Sequence, residues 1–358
     1  MGFGSRTHVI SNPKHQSGVA LISTLLVFAI AAILTSQMIR SSQASIQRTQ
    51  WIVQDAQSWQ DALGGEALTQ IHLQKALADK AISNKTFLPS TYPTSQGNIT
   101  TAIEDLQSRI NLNNIVASGG HPALVRRLFQ QQEAVDLLDP LQDWIDRDHN
   151  PTGTGGEDSR YSYGEPSYRV ANRQLNDRNQ LEALAGAQNT ETGKLKSFTS
   201  ALPVPLPVNI NTAPAEVLSA IAPQLDGEQI VQQRSGLQPD LPAKQQEASA
   251  DASQEVVTSG FQSVESFLQS AVTAGIELDS SVVTVKSHWY AIAVVARFGE
   301  RKVTLYSRYS LDTETEKLVL WDRTSGLTLN LPEATTTPLD KQPETSDEQS
   351  DQKPVSVF

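Results

Sequence analysis

The chain has 358 residues, enough for about two domains, and its 28 Lys and Arg against 39 Asp and Glu give a formal net charge of -11. This acidic balance argues against non-specific binding of nucleic acid, which depends on neutralising phosphates. The sequence has no cysteine, which excludes disulfides, thiolate metal sites, iron–sulfur clusters and a cysteine nucleophile.

The N-terminal part carries a membrane segment. No Asp or Glu occurs in residues 1–54, and 16 of the 21 residues in 19–39 are apolar. A helix rises about 1.5 Å per residue, so this stretch crosses a hydrocarbon core of roughly 30 Å once. We predict a transmembrane helix at 19–39, and the short basic leader places the N-terminus on the inner side.

The leader, residues 1–18, differs from a secretory signal peptide. Such a peptide has a small-residue cleavage site after its apolar centre, whereas here the small residue Gly18 precedes the apolar stretch. A basic leader, a glycine and an uninterrupted apolar helix resemble the signal of type IV pilins and pseudopilins. The resemblance implies cleavage by prepilin peptidase between Gly18 and Val19, with methylation of the new N-terminus. The alternative is an ordinary signal anchor.

Ser23 is the fifth residue after that cleavage site, where most pilin-like subunits carry Glu. An unpaired carboxylate in hydrocarbon costs at least about 2.5 kcal/mol, and in the family the terminal amine of a neighbouring subunit neutralises this Glu. A subunit without it offers nothing to an amine above, which is tolerable only where no subunit sits above. This pattern resembles the minor pseudopilin K of type II secretion systems.

Beyond the membrane the sequence predicts a packed helix and then strands. Apolar residues follow steps of four, three and four at Ile52, Ala56, Trp59 and Leu63. Gly64-Gly65 interrupts this pattern, so we expect a kink or offset there, before a second helical run from Glu66 to about Ile82. Short strands are predicted in 98–112, and alternating or Val-rich stretches predict antiparallel strands at 281–298, 302–311 and 317–321.

The middle of the chain has a helical character. Helices are predicted at 124–138, 141–146 and 216–221, and a mobile loop at 240–255. Asp139 before Pro140, and Thr212 before Pro214, suit the N-caps of two of these helices. The predicted domains are the leader 1–18, the transmembrane helix 19–39, the remaining N-terminal helix and first strands 40–111, an inserted helical domain 112–280, the C-terminal strands 281–331 and a disordered acidic tail 332–358.

An acidic loop follows the second of these helices. Asp146, Asp148 and Asn150 stand at positions 1, 3 and 5 of a loop, and Glu157 stands at position 12. This is the ligand spacing of an EF-hand-type calcium loop, although Pro151 replaces the usual glycine at position 6. A solvated acidic turn is the alternative. Asp143 and Asp158 either add ligands or cap and solvate the loop.

The run Asn209 to Ala213 resembles the opening of helix-hairpin-helix modules, some of which bind DNA. Such binders need a glycine hairpin and basic neighbours, which residues 221–226 do not supply. We therefore interpret 205–275 as a helix-hairpin-helix or SAM-like fold element. In it, Asn209 and Asn211 hydrogen-bond loop backbone and Thr212 caps a helix.

Catalytic motifs are missing from the sequence. No His pair has the spacing of a zinc site on a helix, and no nucleophile-elbow or phosphate-binding glycine motif occurs. Asp143 and Asp146 stand three apart, but for such pairs a ligand or surface role is commoner than catalysis. We do not expect an enzyme.

Four segments resemble the pseudopilin K family, in the family's order. They are the leader, Asn111-Leu112-Asn113, Asp143 to Asp148 with Glu157 and Tyr161, and Asn209 to Ala213, followed by Ser287 to Tyr290. Gln180 departs from the family, which often has Glu there, and the family's usual cysteines are absent. The first departure puts one possible metal ligand in doubt.

The resemblance implies an α+β fold with a pilin-like long N-terminal helix packed on a small antiparallel sheet, and a large, mainly helical domain inserted. It implies a single-pass inner-membrane protein, mostly periplasmic, at the tip of the type II secretion pseudopilus. The implied partners are the minor pseudopilins I and J and also H, the major pseudopilin G, prepilin peptidase, the inner-membrane assembly platform and secreted cargo. The resemblance also favours calcium at the acidic loop. The alternatives are a minor type IV pilin-like subunit and an uncleaved, membrane-anchored periplasmic binding protein.

Overall fold

A computed structural model of the chain describes residues 17–79, 87–163, 167–235 and 260–327. Several predicted features lie outside these residues: most of the leader, the loop at 240–255, the end of the helical run near Ile82 and the acidic tail 332–358.

Within the described residues one very long helix is followed by three strands, four helices, two strands, three helices and four strands. The strands are β1 (Ser90–Thr94), β2 (Gly97–Asp105), β3 (Ile110–Asn111), β4 (Thr199–Ser200), β5 (Val208–Asn209), β6 (Val283–Thr284), β7 (Trp289–Phe298), β8 (Arg301–Leu311) and β9 (Leu318–Ser325). The helices are α1 (Ser17–Ala78), α2 (Pro122–Gln131), α3 (Leu138–Ile145), α4 (Asp158–Ser162), α5 (Thr192–Ser197), α6 (Ala215–Ser219), α7 (Gly227–Arg234) and α8 (Val264–Leu268), with several 3₁₀ turns between them.

Helix α1 is a single element of 62 residues, about 93 Å long at 1.5 Å per residue. It continues through Gly64 and Gly65, so the two helical runs predicted on either side of them belong to one helix. Tertiary packing explains the second glycine: the sheet packs against α1 at this point, and a side chain on Gly65 would collide with it. Packing overrides the low helix propensity of glycine here.

Five strands form the main sheet in the order β1-β2-β7-β8-β9, and every neighbouring pair is antiparallel. Its core lies against α1, where Ala62 and Leu73 of the helix meet Ile292 and Val294 of β7. The predicted fold, a long helix on a small antiparallel sheet with a mainly helical part between its strands, is confirmed.

The chain between β2 and β7 has a hydrophobic core of its own. Its largest buried members include Leu112, Phe129, Leu141 and Phe267. Two short parallel pairings, β3 with β4 and β5 with β6, join segments that are far apart in sequence. The domain limits given above stay a prediction.

Two helix boundaries differ from those predicted by three residues or more. The helix expected at 124–138 ends at Gln131, because Glu133 adopts a left-handed backbone with φ 53°. Helix α3 begins at Leu138 rather than Leu141, because a 3₁₀ turn at Val135–Leu137 leads directly into it. Asp139 therefore lies inside the first turn and is not the N-cap.

Candidate functional site

The membrane end of α1 has a mostly apolar surface. Its large apolar side chains between Val19 and Ile39 are all exposed, with Val19 70% and Phe28 76% accessible. Helix α1 is the one helix among the described residues that is long and apolar enough to cross a membrane. A surface of this kind requires lipid or other apolar helices around it.

The predicted cleavage pair, Gly18 and Val19, lies in the first turn of α1. Ser23 follows just over one turn later, and its hydroxyl donates a hydrogen bond to the carbonyl of Ala20 at 2.9 Å. This back-bonding satisfies a hydroxyl inside an apolar environment. The position therefore carries no charge and offers no ionic partner to a neighbouring chain.

The acidic loop runs from the end of α3 to the start of α4. Asp146 is the C-cap of α3 and Glu157 is the N-cap of α4, so two helix ends fix their positions. One carboxylate oxygen of each of Asp146, Asp148 and Glu157 lies within 4.8 Å of the others. We call these three residues the acidic triad.

The acidic triad has few hydrogen-bond donors and few positive charges around it among the described residues. One oxygen of Asp146 and both oxygens of Glu157 are buried with no hydrogen-bond partner in the described chain. Burial raises the pKa of Glu157, and the nearby carboxylates of Asp143 and Asp146 raise it further. Burial, then Asp148 and Asp143, likewise raises the pKa of Asp146. Three converging hard oxygen ligands with unused lone pairs fit a divalent cation such as calcium.

The other predicted ligands have different roles in the loop. Both oxygens of Asp143, which is fully buried, accept from the backbone N–H of Thr152 at 2.9 and 3.1 Å. Asp158 accepts from the N–H of Val170 at 3.1 Å. Asn150 donates its backbone N–H to Asp148 at 2.8 Å. The structure thus brings together three of the six predicted residues and gives Asp143 and Asp158 hydrogen bonds that shape the loop.

Asp139, predicted as a helix cap, also shapes the acidic loop. It accepts from the N–H of Thr154 at 2.9 Å and from its hydroxyl at 3.2 Å. Gly153 has a left-handed backbone with φ 50°, and a Cβ there would lie 2.3 Å from Asp139 Oδ2. Two aspartates of α3, Asp139 and Asp143, therefore hold the acidic loop in shape by accepting hydrogen bonds from it.

Three aromatic rings pack together beside the acidic loop. Trp144 meets Tyr161 edge to face with ring centroids 5.5 Å apart, and Tyr168 lies 6.2 Å from Trp144. Tyr161 and Trp144 are buried. These rings give the loop a rigid apolar support. Trp144 and Tyr161 belong to the segment that resembles the pseudopilin K family, whereas no sequence pattern pointed to Tyr168.

A second polar cluster joins the middle part of the chain to the sheet. Asp105 at the end of β2 is buried and accepts four hydrogen bonds, from Gln107 N–H (2.9 Å), Asn209 Nδ2 (3.2 Å), Thr212 Oγ1 (2.5 Å) and Ser287 Oγ (2.7 Å). Thr212 therefore binds a carboxylate rather than capping a helix, and Pro214 occupies the N-cap of α6. No local pattern in the sequence pointed to Asp105, because three of its partners lie 104 to 182 residues away.

The asparagine motifs hold loop backbone in place. Asn111 donates to the carbonyls of Leu202 and Val204, and Asn113 donates to those of Leu175 and Leu202. Asn211 exchanges two hydrogen bonds of 2.9 Å with the backbone of Phe261. These side chains act as structural connectors between distant segments.

Comparisons with known proteins agree on one family. Two family models described as type II secretion system (T2SS), protein K, match residues 108–204 and 208–286. The type II secretion system protein K of Klebsiella pneumoniae is 30% identical over 248 residues, covering 62% of this chain and 76% of that protein. That of Pseudomonas aeruginosa is 29% identical over 315 residues, covering 82% and 88%.

A solved structure has the same fold. The crystal structure of the GspK–GspI–GspJ complex from the enterotoxigenic Escherichia coli type 2 secretion system contains a chain that matches with a TM-score of 0.62. The match is 20% identical in sequence and covers 78% of this chain and 100% of that one.

Proposed function

This chain belongs to the family of type II secretion system protein K, the minor pseudopilins of that system, and on this basis we propose that it stands at the tip of the periplasmic pseudopilus and initiates its assembly. The related chain from enterotoxigenic E. coli was crystallised with GspI and GspJ. The minor pseudopilins I and J of its own system are therefore the first partners in this proposal.

The neutral side chain of Ser23 is the observation that most directly supports a position at the tip. The Ser23 side chain is a neutral hydroxyl that bonds within its own helix, and a neutral group cannot neutralise the terminal amine of a subunit above. A buried, unpaired ammonium in the membrane is costly. A subunit with Ser at this position therefore fits the end of the polymer, where nothing follows.

The size of the part between β2 and β7 supports the same position. Between β2 and β7, the described residues 106–163, 167–235 and 260–288 fold around their own core beside the sheet. Such a broad head is difficult to stack repeatedly along a helical fibre, whereas at the tip it meets no successor.

The membrane and assembly partners follow from the same proposal. Residues 19–39 anchor the precursor in the inner membrane, and prepilin peptidase removes the leader at Gly18. The pseudopilins G and H, the inner-membrane platform and secreted cargo are further partners. The role is structural rather than catalytic. The comparisons do not favour a type IV pilus subunit or an uncleaved binding protein.

Calcium binding at the acidic triad is part of the proposal. The support is the convergence of three carboxylates within 4.8 Å, together with buried oxygens that have no donor among the described residues. Bound calcium supplies the positive charge that this group lacks, so it stabilises the loop between α3 and α4. Asp146, Asp148 and Glu157 hold it, and Asp139 and Asp143 keep the loop in shape.

The tip proposal is tested at the N-terminus. The mass of protein purified from membranes with its own prepilin peptidase should correspond to a chain beginning at Val19. An intact leader, or a cut beyond Ile39, contradicts the proposal. In cells, Ser23→Glu should give no gain in pseudopilus assembly, and Thr24→Glu serves as the control for a carboxylate at a neighbouring depth. A strong gain with Ser23→Glu alone would argue against the tip position.

A further inference from the structure

The two ends of the main sheet carry opposite charge. At one end is the tip of the β7–β8 hairpin, residues 297–302, which we call the basic turn. It has three cations and one acid, namely Arg297, Arg301, Lys302 and Glu300. The turn between β8 and β9, which we call the acidic turn, has three acids and one cation, namely Asp312, Glu314, Glu316 and Lys317. The basic turn is thus positive in a chain whose net charge is -11.

Contacts with α1 show which end of the sheet is nearer the membrane segment. Gly299 of the basic turn lies beside Gln54, because a Cβ on Gly299 would stand 3.4 Å from Gln54 Nε2. At the acidic turn, Gln74 donates from its side chain to the carbonyl of Glu316. Gln54 precedes Gln74 by 20 residues, or about 30 Å along the helix. The basic turn is therefore at the membrane-proximal end of the sheet.

The cations of the basic turn have no acidic partner in the described part of the chain. None of the three takes part in an ion pair there. Arg297 and Lys302 are exposed and stand directly opposite each other in the register of β7 and β8, where like charges repel. Arg301 Nε is buried without a hydrogen-bond acceptor among the described residues. Such a cluster suits a surface that presents several anionic groups.

Helix α1 adds positive charge between the membrane segment and the basic turn. Residues 40–55 contain Arg40 and Arg48 and a single acid, Asp55, so together with the basic turn they carry five cations and two acids. The Arg301 guanidinium lies over the ring of Trp51, 5.6 Å from its centroid, and holds the basic turn against this stretch of the helix. The membrane-proximal end of the periplasmic part is therefore positive as a whole.

The basic turn lies within electrostatic range of the membrane surface. Trp51 follows Ile39, the end of the apolar stretch, by 12 residues, or about 18 Å along α1. Headgroups extend about 5–7 Å beyond the hydrocarbon core on each side, and transmembrane helices tilt by about 20° on average. The remaining gap of about 10 Å is close to the Debye length of about 8 Å. Arginine and lysine side chains shorten it further.

We propose that the basic turn docks on anionic phospholipid headgroups of the membrane that α1 spans. The proposal rests on the membrane anchor of the proposed function and adds a second membrane contact to it. Several cations close to an anionic surface attract it together, and salt weakens the attraction. Docking holds the sheet and the helical part at one tilt over the membrane before assembly. The contact is released when the fibre lifts the subunit away.

Energy transfer to the headgroups tests this contact in the full-length protein. The chain has no cysteine, so Gln96→Cys carries a single fluorophore beside the basic turn, where the Gln96 carbonyl accepts from the N–H of Gly299 at 3.0 Å. Thr313→Cys labels the acidic turn as the distal control. Each labelled protein is reconstituted into phosphatidylcholine vesicles with or without phosphatidylglycerol, and a headgroup-labelled lipid is the acceptor.

Anionic lipid should bring the basic turn closer to the headgroups. We expect phosphatidylglycerol to raise energy transfer from the Gln96→Cys label about twofold or more and to change that from the Thr313→Cys label little. The rise should disappear in about 1 M salt, where the Debye length is about 3 Å. No rise with phosphatidylglycerol would overturn the proposal and leave a protein partner as the occupant of the basic turn. Flotation with neutral vesicles measures the α1 anchor separately, so a missing anchor is distinguished from a missing contact.

Two sets of charge-removing substitutions separate the basic turn from net charge. The first set removes the three cations of the basic turn and should abolish the rise: Arg297→Gln, Arg301→Gln and Lys302→Gln. The second removes three exposed cations elsewhere and should preserve it: Arg126→Gln, Lys194→Gln and Lys286→Gln. Equal loss in the two sets would show an effect of net charge alone and would overturn the proposal. A rise that survives the first set would overturn it as well.

Discussion

Gly65 of α1 lies against Ile99 of β2 so closely that a Cβ atom on Gly65 would stand 2.5 Å from Ile99 Cγ2. Val294 and Thr101 would also lie within 3.4 Å of it. All three neighbours are β-branched residues on strands, whose side chains have little rotamer freedom with which to move aside. The helix thus approaches the sheet at a point where only glycine fits.

The adjacent glycine gives a matched test of this contact. A Cβ on Gly64 would meet nothing within 4 Å, although both glycines lie in the same helix. Gly64→Ala should therefore raise the free energy of unfolding by about 0.5–1 kcal/mol through helix propensity. Gly65→Ala should lower it by about 1–3 kcal/mol because the overlap exceeds that gain. Urea unfolding of the two variants measures both values, and changes of the same sign would contradict the close contact.

Glu66, the next residue, joins α1 to the far edge of the sheet. Its carboxylate accepts from Tyr309 Oη at 2.6 Å and lies 2.9 Å from Arg323 of β9, and the Glu66 side chain is only 3% exposed. Arg323→Ala leaves this buried carboxylate without its cation and should cost about 2–3 kcal/mol after allowing for the partial exposure of Arg323.

A double-mutant cycle separates this ion pair from general damage. In a Glu66→Gln background, Arg323→Ala should cost much less, because no charge is left unpaired. The exposed pair Lys194–Glu191 is the control, and Lys194→Ala should leave stability within experimental error. Equal costs of Arg323→Ala in both backgrounds would show that the pair contributes nothing specific.

Calcium should stabilise the protein through the acidic triad. At a calcium concentration of 100 times Kd, a single site adds about 2.7 kcal/mol to the free energy of unfolding. Glu157→Gln should abolish most of this gain, whereas the exposed Glu277→Gln should retain it. Trp144 stands two residues before Asp146, so bound terbium should emit on excitation of tryptophan, and Trp144→Phe should remove the emission while keeping the shift in Tm.

Without calcium, Glu157→Gln should have the opposite effect and stabilise the protein. Burial and neighbouring carboxylates raise the pKa of Glu157 and of Asp146, so the folded state binds more protons than the unfolded state just above pH 4. The free energy of unfolding in EDTA should therefore fall as pH rises from the ordinary carboxyl pKa of about 4 through the raised values. Glu157→Gln should weaken this slope and raise Tm in EDTA at pH 7. If the free energy of unfolding of the unmodified protein in EDTA did not change with pH, the raised pKa values would be contradicted.

Asp105 should be the most sensitive polar residue at the junction of sheet and helical part. Asp105→Ala removes four hydrogen bonds and leaves their donors buried, which should cost about 3–5 kcal/mol. Asp312 accepts three hydrogen bonds in an exposed turn, and Asp312→Ala should have a much smaller effect because water replaces the carboxylate. Comparable losses for the two variants would contradict the role assigned to burial.

Local patterns predicted the parts of the fold that depend on near neighbours. The apolar stretch 19–39 and the steps from Ile52 to Leu63 predicted α1, and the Val-rich run predicted β7. The spacing from Asp146 to Glu157 predicted three carboxylates that do converge. In each case the period of an element, or the length of one loop, contains the information.

The remaining features depend on contacts that no local pattern encodes. Gly64-Gly65 suggests a break when the helix is considered alone, and only the approach of β2 explains the second glycine. Asp139 has the sequence context of a cap, yet its oxygens face Thr154 across the loop. Asp105 accepts a hydrogen bond from Ser287, which lies 182 residues further along the chain.

The pairing of Asp105 with Tyr290 makes the helical part an insertion between two neighbouring strands. These residues close the strands β2 and β7, which are neighbours in the sheet, so everything between them is the loop of a single hairpin. Closing a longer loop adds only about 0.6 kcal/mol per doubling of length, and this loop folds around a core of its own. Because its two ends meet in the sheet, the helical part can follow its own packing without changing the order of the strands.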